Sequence, residues 1–274
     1  MDWQDEAIVL AARHYGEHDA ILTLLTRENG RHLGLLRAGF SRRLRPSIEL
    51  GNRLQAAWRA RLEEQLGSFQ IECLQSVAAL LLDQPLRLAA LASACGIVDA
   101  ALPEREPHPE IFTDLDVLIA QLTEDAVRPD DGTDESADDR LGWLTSYVRW
   151  EITLLSDLGF GLDLTHCAVT GETEGLAYVS PKTGRAVTRA AGQSYRDRLL
   201  VLPGFLASSG ARAASMADVC TGLSLTGHFL ERHVFVQTGP TSRAASPAAL
   251  AAAQKGESPA ARRRFLQQLH DLPA

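Results

Sequence analysis

Residues Ala20–Ala38 read AILTLLTRENGRHLGLLRA. Two apolar runs, Ala20–Thr26 and Arg31–Ala38, flank the turn Glu28-Asn29-Gly30. Asn-Gly is a strong signal for a tight hairpin because both residues accept a positive φ angle. The stretch therefore predicts two antiparallel strands joined by a short turn.

Further strands are predicted on both sides of this hairpin. Ala7–Arg13 is an apolar run that precedes it, and Asn52–Leu62 and Gly67–Leu74 follow it after a polar, arginine-rich loop over 39–46. Five strands at this even spacing are typical of a small barrel. Residues 1–78 are therefore predicted to form a five-stranded OB-type barrel that binds nucleic acid.

After Ser76 the apolar residues recur at the helical period. Helices are predicted from Pro85 onward, over Ile111–Leu122, over Leu141–Leu158 as far as Gly159, over Met216–Val236 and within Pro247–Leu272. Glycine-rich sequence at 163–195 indicates a compact module inserted between helices. The predicted fold class is α+β: the barrel is followed by a helical domain over 79–274 that contains the module. The acidic segment Glu124–Asp139 is expected to be a connection.

The composition is that of an ordinary globular chain. Of 274 residues 45% are hydrophobic, and 27 basic and 35 acidic residues give a net charge of −8. These values argue against wholesale disorder and against a protein that is basic over its whole surface. The cysteines are widely spaced, the first residues are acidic, and no apolar stretch approaches the ~20 residues of a membrane-spanning helix. We therefore expect a cytoplasmic protein with no membrane partner.

Positive charge is concentrated locally, between Arg27 and Arg61, where nine arginines face two glutamates. Guanidinium groups bind phosphate through paired hydrogen bonds, and a cluster of them on a barrel suits a nucleic-acid backbone. The predicted DNA-binding residues are Arg31, Arg37, Arg42, Arg43, Arg45, Arg53 and Arg59. A charged barrel surface without a ligand is the alternative. Phe40 is the best-placed aromatic residue for stacking on a base, although a role in the core is equally open.

Motifs of catalysis are absent from the sequence. No Walker loop, dinucleotide fingerprint, H-E-x-x-H motif or S-x-x-K nucleophile occurs. His14 and His18 are four residues apart, but Gly16 between them indicates a turn, and surface histidines are favoured over a metal site. We therefore expect a protein that is not an enzyme.

Several short motifs resemble those of the bacterial RecO recombination mediators. They are Ile8-Val9-Leu10, Tyr15-Gly16-Glu17-His18-Asp19, Glu28-Asn29-Gly30, Tyr147-Val148-Arg149-Trp150-Glu151, and Leu158-Gly159-Phe160-Gly161-Leu162-Asp163-Leu164 with Cys167. The resemblance implies an N-terminal OB-fold, a helical body and a small module that in many members binds zinc through two C-x-x-C pairs. It also implies DNA repair by homologous recombination, in which the protein binds single- and double-stranded DNA, anneals strands and is associated with the nucleoid. The implied protein partners are RecR, the acidic C-terminal tail of single-strand-binding protein and, indirectly, the recombinase RecA.

Two positions refine what the resemblance implies. Cys167 stands where the first zinc ligand would be, but Thr170 occupies the next position and the stretch 178–192 contains no cysteine, so we predict a module that has lost its zinc ligands, with no cofactor. Arg149 is predicted to bind the acidic tail beside the apolar face of its helix, with a surface salt bridge as the alternative.

The predicted function is that of a mediator of recombinational repair. The alternatives are a scaffold whose barrel contacts a protein and, less favoured, an unrecognised nuclease or transferase.

Overall fold

A closed barrel of five strands forms the N-terminal part of the computed structural model, which describes residues 1–62, 64–124, 136–207, 213–236 and 257–272. The strands are β1 (Asp2–Tyr15), β2 (Asp19–Thr26), β3 (Gly30–Leu36), β4 (Arg53–Arg59) and β5 (Ser68–Gln75). Their order is β1-β2-β3-β5-β4, and β4 pairs back with β1. All pairs are antiparallel except β3 with β5. The predicted OB-type barrel is confirmed.

The barrel closes because β1 is long enough to pair with two strands, β4 and β2. Its first half pairs with β4 from Asp2 to Ile8, and its second half pairs with β2 from Ala7 to Tyr15. A register shift between Val9 and Ala11 bends the strand where it passes from one partner to the other. The alternating side chains of the strands fill the interior with apolar residues such as Leu22, Leu24, Leu54 and Trp58.

The chain folds into two compact units. One comprises Met1–Arg128 together with Thr238–Ala274, and the other comprises Pro129–Gln237. The first unit contains the barrel, a short α1 (Val77–Leu80), α2 (Pro85–Ala101) and α3 (Pro109–Glu124). Pro85 begins α2, as predicted, because its missing N–H is not needed in the first turn.

The second unit contains helices and a three-stranded sheet. Its elements are α4 (Ala137–Asp157), β6 (Leu176–Val179), β7 (Ala186–Thr188), α5 (Arg189–Gly192), β8 (Leu200–Val201) and α6 (Met216–Phe229), followed by a π-helix over Leu230–Phe235. The sheet order is β7-β6-β8. In α4 the predicted face is buried at Leu144, Val148 and Leu155. Gly222 of α6 lies against Val148, where a larger side chain would collide.

The last helix, α7 (Ala260–His270), returns to the first unit. It packs along α2, where Gly96 leaves room for Ala261. The barrel therefore shares its unit with α2, α3 and α7, a grouping that differs from the predicted division after residue 78. Within the predicted acidic connection, residues 125–135 lie outside the described part of the chain. No helix in the described part is long and apolar enough to cross a membrane.

Candidate nucleic-acid interface

The segment Arg37–Arg45, here called the arginine loop, connects β3 to a turn of 3-10 helix over Arg45–Ile48. Arg37, Arg42, Arg43 and Arg45 are all exposed. None of these four side chains forms an ion pair with a carboxylate of the described residues. The loop therefore presents several guanidinium groups that can bind an external anion.

The backbone of the arginine loop is held by the turn between β1 and β2. The N–H of Ala38 donates to Asp19 Oδ1 (2.7 Å), and the N–H of Phe40 donates to the carbonyl of His18 (3.0 Å). Gly39 lies so close to Ala20 that a Cβ at this position would come within 2.6 Å of the alanine methyl. The start of the loop is thus fixed while its arginine side chains point into solvent.

The second half of the loop is fixed by its own hydrogen bonds and by the core. The N–H groups of Leu44 and Arg45 donate to the carbonyl of Ser41 (3.2 and 3.0 Å). Leu44 packs against the barrel core, and Ile48 is part of it. A loop fixed at both ends loses little conformational entropy on binding, which favours affinity.

Arg59 joins this surface through the register of the sheet. Ser68 on β5 pairs with Arg59 on one side and with Leu35 on the other. Neighbouring strands are about 4.8 Å apart, so Arg59 lies about 10 Å across the sheet from the end of β3. Its side chain is exposed and has no described carboxylate as a partner.

Arg31 has a different environment from the arginines of the loop. Its side chain is buried, with Nε donating to the carbonyl of Leu102 (2.8 Å) and Nη1 donating to Asp99 Oδ1 (3.1 Å). Glu104 Oε1 lies 3.7 Å from Nη2. Burial raises the pKa of the Asp99 carboxyl above its ordinary value, against the opposing effect of the Arg31 guanidinium. Arg31 therefore ties the barrel to the end of α2 and is not available to a phosphate.

Arg53 is also engaged within the protein. Its Nη1 donates to Gln75 Oε1 (2.7 Å), its Nη2 donates to the carbonyl of Asp116 (2.8 Å), and its Nε lies 2.6 Å from Asp116 Oδ1. Two of the seven predicted DNA-binding residues thus hold α2 and α3 to the barrel, and five remain open to solvent.

The sequence did not predict one contact on this surface, between the rings of His14 and Phe40. The imidazole of His14 is stacked on the phenyl ring of Phe40, with ring centroids 3.5 Å apart and planes at 13°. The two residues are brought together because the arginine loop folds back over the β1–β2 turn. Sequence reasoning singled out Phe40 and placed His14 on the surface, but no local signal shows that they touch.

Comparisons with known proteins agree with this fold. The family model "Recombination protein O N terminal" matches residues 1–77, and "Recombination protein O C terminal" matches residues 82–239. The chain belongs to the RecO family. The two matched ranges meet near the predicted boundary at residue 78.

Curated RecO proteins are similar to the chain over most of its length. The protein from Rhodospirillum centenum is 50% identical over 270 residues, which cover 98% of this chain and 94% of the relative. Those from Methylobacterium nodulans (46% identical; 87% and 92% covered) and Rhodospirillum rubrum (47% identical; 89% and 94% covered) are also similar. All three are named DNA repair protein RecO. The family is thus one of DNA repair proteins.

The sequence predicts that the module over 163–195 lacks zinc ligands. Cys167 is buried, its Sγ accepts a hydrogen bond from the N–H of Thr188 (3.3 Å), and it lies 3.7 Å from Thr188 Oγ1. Burial raises the pKa of the Cys167 thiol, but hydrogen bonds from Thr170 and from surrounding N–H groups outweigh it and lower the pKa to about 6.

The groups around Cys167 do not fit a tetrahedral zinc site, which needs four thiolate or imidazole ligands. Hydroxyl and amide groups of threonine take up the space about the sulfur. Within the described ranges, no group of three or more His, Cys, Asp and Glu side chains is placed to hold a metal ion. Absence of zinc from the purified protein stays a prediction, which metal analysis tests.

Arg149, predicted to bind the tail of single-strand-binding protein, lies on α4 in the second unit. The residue is exposed as a whole, Nη2 donates to the carbonyl of Phe205 (3.2 Å), and Cζ lies 5.5 Å from the centre of the Phe205 ring. The residue does not form the alternative salt bridge with any described carboxylate. A cation held beside an aromatic ring is what an acidic, apolar peptide requires.

Proposed function

We propose that this protein is a non-enzymatic mediator of DNA repair and recombination that binds single- and double-stranded DNA and promotes annealing of complementary strands. The observation that carries the proposal is that five of the predicted DNA-binding arginines are exposed and have no described carboxylate partner. They are Arg37, Arg42, Arg43, Arg45 and Arg59. Membership of a DNA repair family supports the same function.

The proposed mechanism is electrostatic. Arginines on the barrel bind backbone phosphates and release the counterions that surround them, so binding does not depend on base sequence and weakens steeply with salt. Two strands whose phosphates are partly neutralised repel each other less, which lets complementary bases meet. No bond forms or breaks in the protein or in the DNA backbone.

The helical second unit is proposed to recruit protein partners. Arg149 with Phe205 is the proposed contact for the acidic tail of single-strand-binding protein, which brings the mediator to protein-coated single strands. RecR is proposed as the partner with which it assists loading of the recombinase RecA. The tail contact is supported by the exposure of Arg149 and by its hydrogen bond to Phe205. The RecR and RecA interactions are proposed on membership of the RecO family alone.

A strand-annealing assay tests the DNA-binding part of the proposal. The triple variant Arg42→Ala/Arg43→Ala/Arg45→Ala is expected to anneal complementary oligonucleotides more slowly than the wild type by at least tenfold at moderate salt. The matched control is Arg189→Ala/Arg196→Ala/Arg198→Ala, which removes three exposed arginines from the second unit. Equal annealing rates for the wild type and the loop variant would show that the arginine loop does not take part in annealing.

Titration with a peptide that has the acidic tail sequence tests the partner site. Arg149→Ala is expected to weaken peptide binding by about tenfold, because a charge-assisted contact to a carboxylate contributes about 1.5–3 kcal/mol. Arg189→Ala serves as the control, since it removes an exposed arginine of the same unit. Unchanged peptide affinity in Arg149→Ala contradicts this assignment without affecting the DNA site.

A further inference from the structure

His14 and Phe40 form a two-ring stack on the surface of the barrel. Their ring centroids are 3.5 Å apart and their planes differ by 13°, so the rings are in full face-to-face contact. We infer that this stack is a platform on which one unpaired base of single-stranded nucleic acid stacks. The inference rests on the proposed DNA-binding function and assigns to it a site that recognises the base rather than the phosphate.

Phe40 gives the platform a fixed base. The phenyl ring is partly buried and packs against the barrel core, and the N–H of Phe40 donates to the carbonyl of His18 (3.0 Å). His14 is in register with Ala20 on β2, near the end of the same hairpin. Both rings are therefore held by ordered backbone, so a base that stacks on them meets a surface that needs little rearrangement.

The imidazole is the exposed ring of the stack. His14 is exposed although one of its faces is covered by Phe40. No second aromatic ring among the described residues lies against it. An exposed flat ring of this kind is the surface on which proteins that bind single strands stack bases.

The charges around the platform favour a nucleic acid over other flat ligands. Phe40 lies on the arginine loop between Arg37 and Arg42, so exposed cations precede and follow the ring along the chain. Glu17 lies in the facing turn and Asp19 begins β2, and phosphates are therefore expected on the loop side of the platform. A ligand that carries both flat rings and closely spaced anions matches this arrangement.

Only an unpaired base can use the platform. In a duplex each base is already stacked between its neighbours and paired with its partner, so extruding it from the duplex is unfavourable. The stack therefore contributes to binding of single strands and leaves binding of duplex DNA to the arginines. A comparison of single-stranded with duplex DNA therefore distinguishes binding by the platform from phosphate binding by the arginines.

The test compares oligothymidylate with an abasic oligonucleotide of the same length, which keeps the phosphates and lacks the bases. The measured quantity is the ratio of the two affinities by fluorescence anisotropy. In His14→Ala this ratio is expected to fall by about 5- to 100-fold, the range for loss of one stacked base. His14→Tyr keeps a flat ring and is expected to retain the ratio. Tyr195→Ala, which removes an exposed ring from the second unit, is the matched control.

Phe40→Leu is the second variant, since leucine keeps apolar packing on the core and removes the ring beneath His14. It is expected to lower the ratio as well. A ratio unchanged in both His14→Ala and Phe40→Leu overturns the platform and leaves phosphate binding by the arginine loop intact. Failure of the wild-type protein to bind either oligonucleotide contradicts instead the proposed function itself.

Discussion

Burial divides the arginines of the barrel into two kinds. Arg31 is 3% exposed and contacts two carboxylates and a carbonyl, whereas Arg42 and Arg43 extend into solvent. A buried guanidinium cannot be removed without leaving its carboxylate partner in a poorly solvated site. Residues of the same type in the same cluster therefore differ: Arg31 is held in internal contacts, whereas the exposed arginines are the ones proposed to bind DNA.

Arg31→Ala is expected to lower the free energy of unfolding by about 3 kcal/mol, because the Asp99 carboxylate loses its partner. Arg42→Ala is expected to change it by less than about 0.5 kcal/mol, as is usual for an exposed side chain. Denaturant unfolding measures both values. Equal losses of stability in the two variants would contradict the division of these arginines into a buried, stabilising kind and an exposed kind.

His32 shows how burial sets the charge of a side chain. Its ring lies edge-on to Trp58 (4.7 Å between centroids) and Trp3 (5.1 Å), and Nδ1 donates to the carbonyl of Leu33 (3.1 Å). Burial lowers the pKa of His32 to about 4. The ring is therefore neutral in the folded protein over the physiological range.

This lowered pKa predicts a loss of stability in acid. In the unfolded chain the imidazole has its ordinary pKa of about 6.5 and takes up a proton first, so protons favour unfolding. The contribution of His32 to the free energy of unfolding is fully present above pH 6.5. It falls by on the order of 3 kcal/mol as the pH is lowered to about 4. Denaturant unfolding across this range should show a flatter pH dependence for His32→Phe. Parallel curves for the two proteins would exclude His32 as the cause.

At the scale of elements, the first residue of β2 positions the arginine loop through its carboxylate. Asp19 accepts the N–H of Ala38, a residue whose φ of 51° is unusual for alanine. Without this acceptor the start of the loop has no side chain to hold its conformation. Asp19 therefore fixes the start of the arginine loop from outside it, and we expect its removal to weaken the proposed DNA binding.

Asp19→Asn and Asp19→Ala separate this hydrogen bond from the charge, because both remove the charge and only asparagine keeps an acceptor. Asp19→Asn is expected to bind single-stranded DNA about fivefold more tightly than Asp19→Ala, which corresponds to about 1 kcal/mol for one hydrogen bond. Anisotropy titration gives both affinities. Identical affinities would show that Asp19 does not position the loop.

Most elements were predictable from periodicity and turn residues. The hairpin β2–β3, with Gly30 at a φ of 67°, follows directly from Asn29-Gly30. β1 was predicted over 7–13 but extends over Asp2–Tyr15, since its polar first residues are ordered by pairing with β4 and carry no apolar pattern. The helix predicted over Met216–Val236 passes into a π-helix after Phe229 for a reason that no sequence pattern shows.

The partners of the arginines were not predictable, because they are distant in sequence. Arg31 meets Asp99, 68 residues away, and Arg53 meets the carbonyl of Asp116, 63 residues away. Which guanidinium is buried depends on where α2 and α3 pack against the barrel. The sequence could therefore locate the basic cluster but could not show which of its arginines are buried and which are exposed.

At the scale of the whole molecule, these ion pairs change how the charge distribution is interpreted. The sequence has a basic cluster over 27–61 and an acidic excess over 99–139 within a net charge of −8. Asp99, Glu104 and Asp116 of the acidic part neutralise Arg31 and Arg53 of the basic part. Arg27 pairs with Glu6, so the charge left for a polyanion is carried by the arginine loop, Arg59 and Arg61, which have no described carboxylate partner.

The dependence of single-stranded DNA affinity on salt tests this conclusion most directly. For single strands the slope of log affinity against log salt is about −0.7 for each phosphate neutralised. Removing Arg42, Arg43 and Arg45 together should therefore make the slope shallower by about 2, whereas Arg189→Ala/Arg196→Ala/Arg198→Ala should leave it unchanged. A loop variant with the same slope and affinity as the wild type would contradict phosphate binding by the arginine loop.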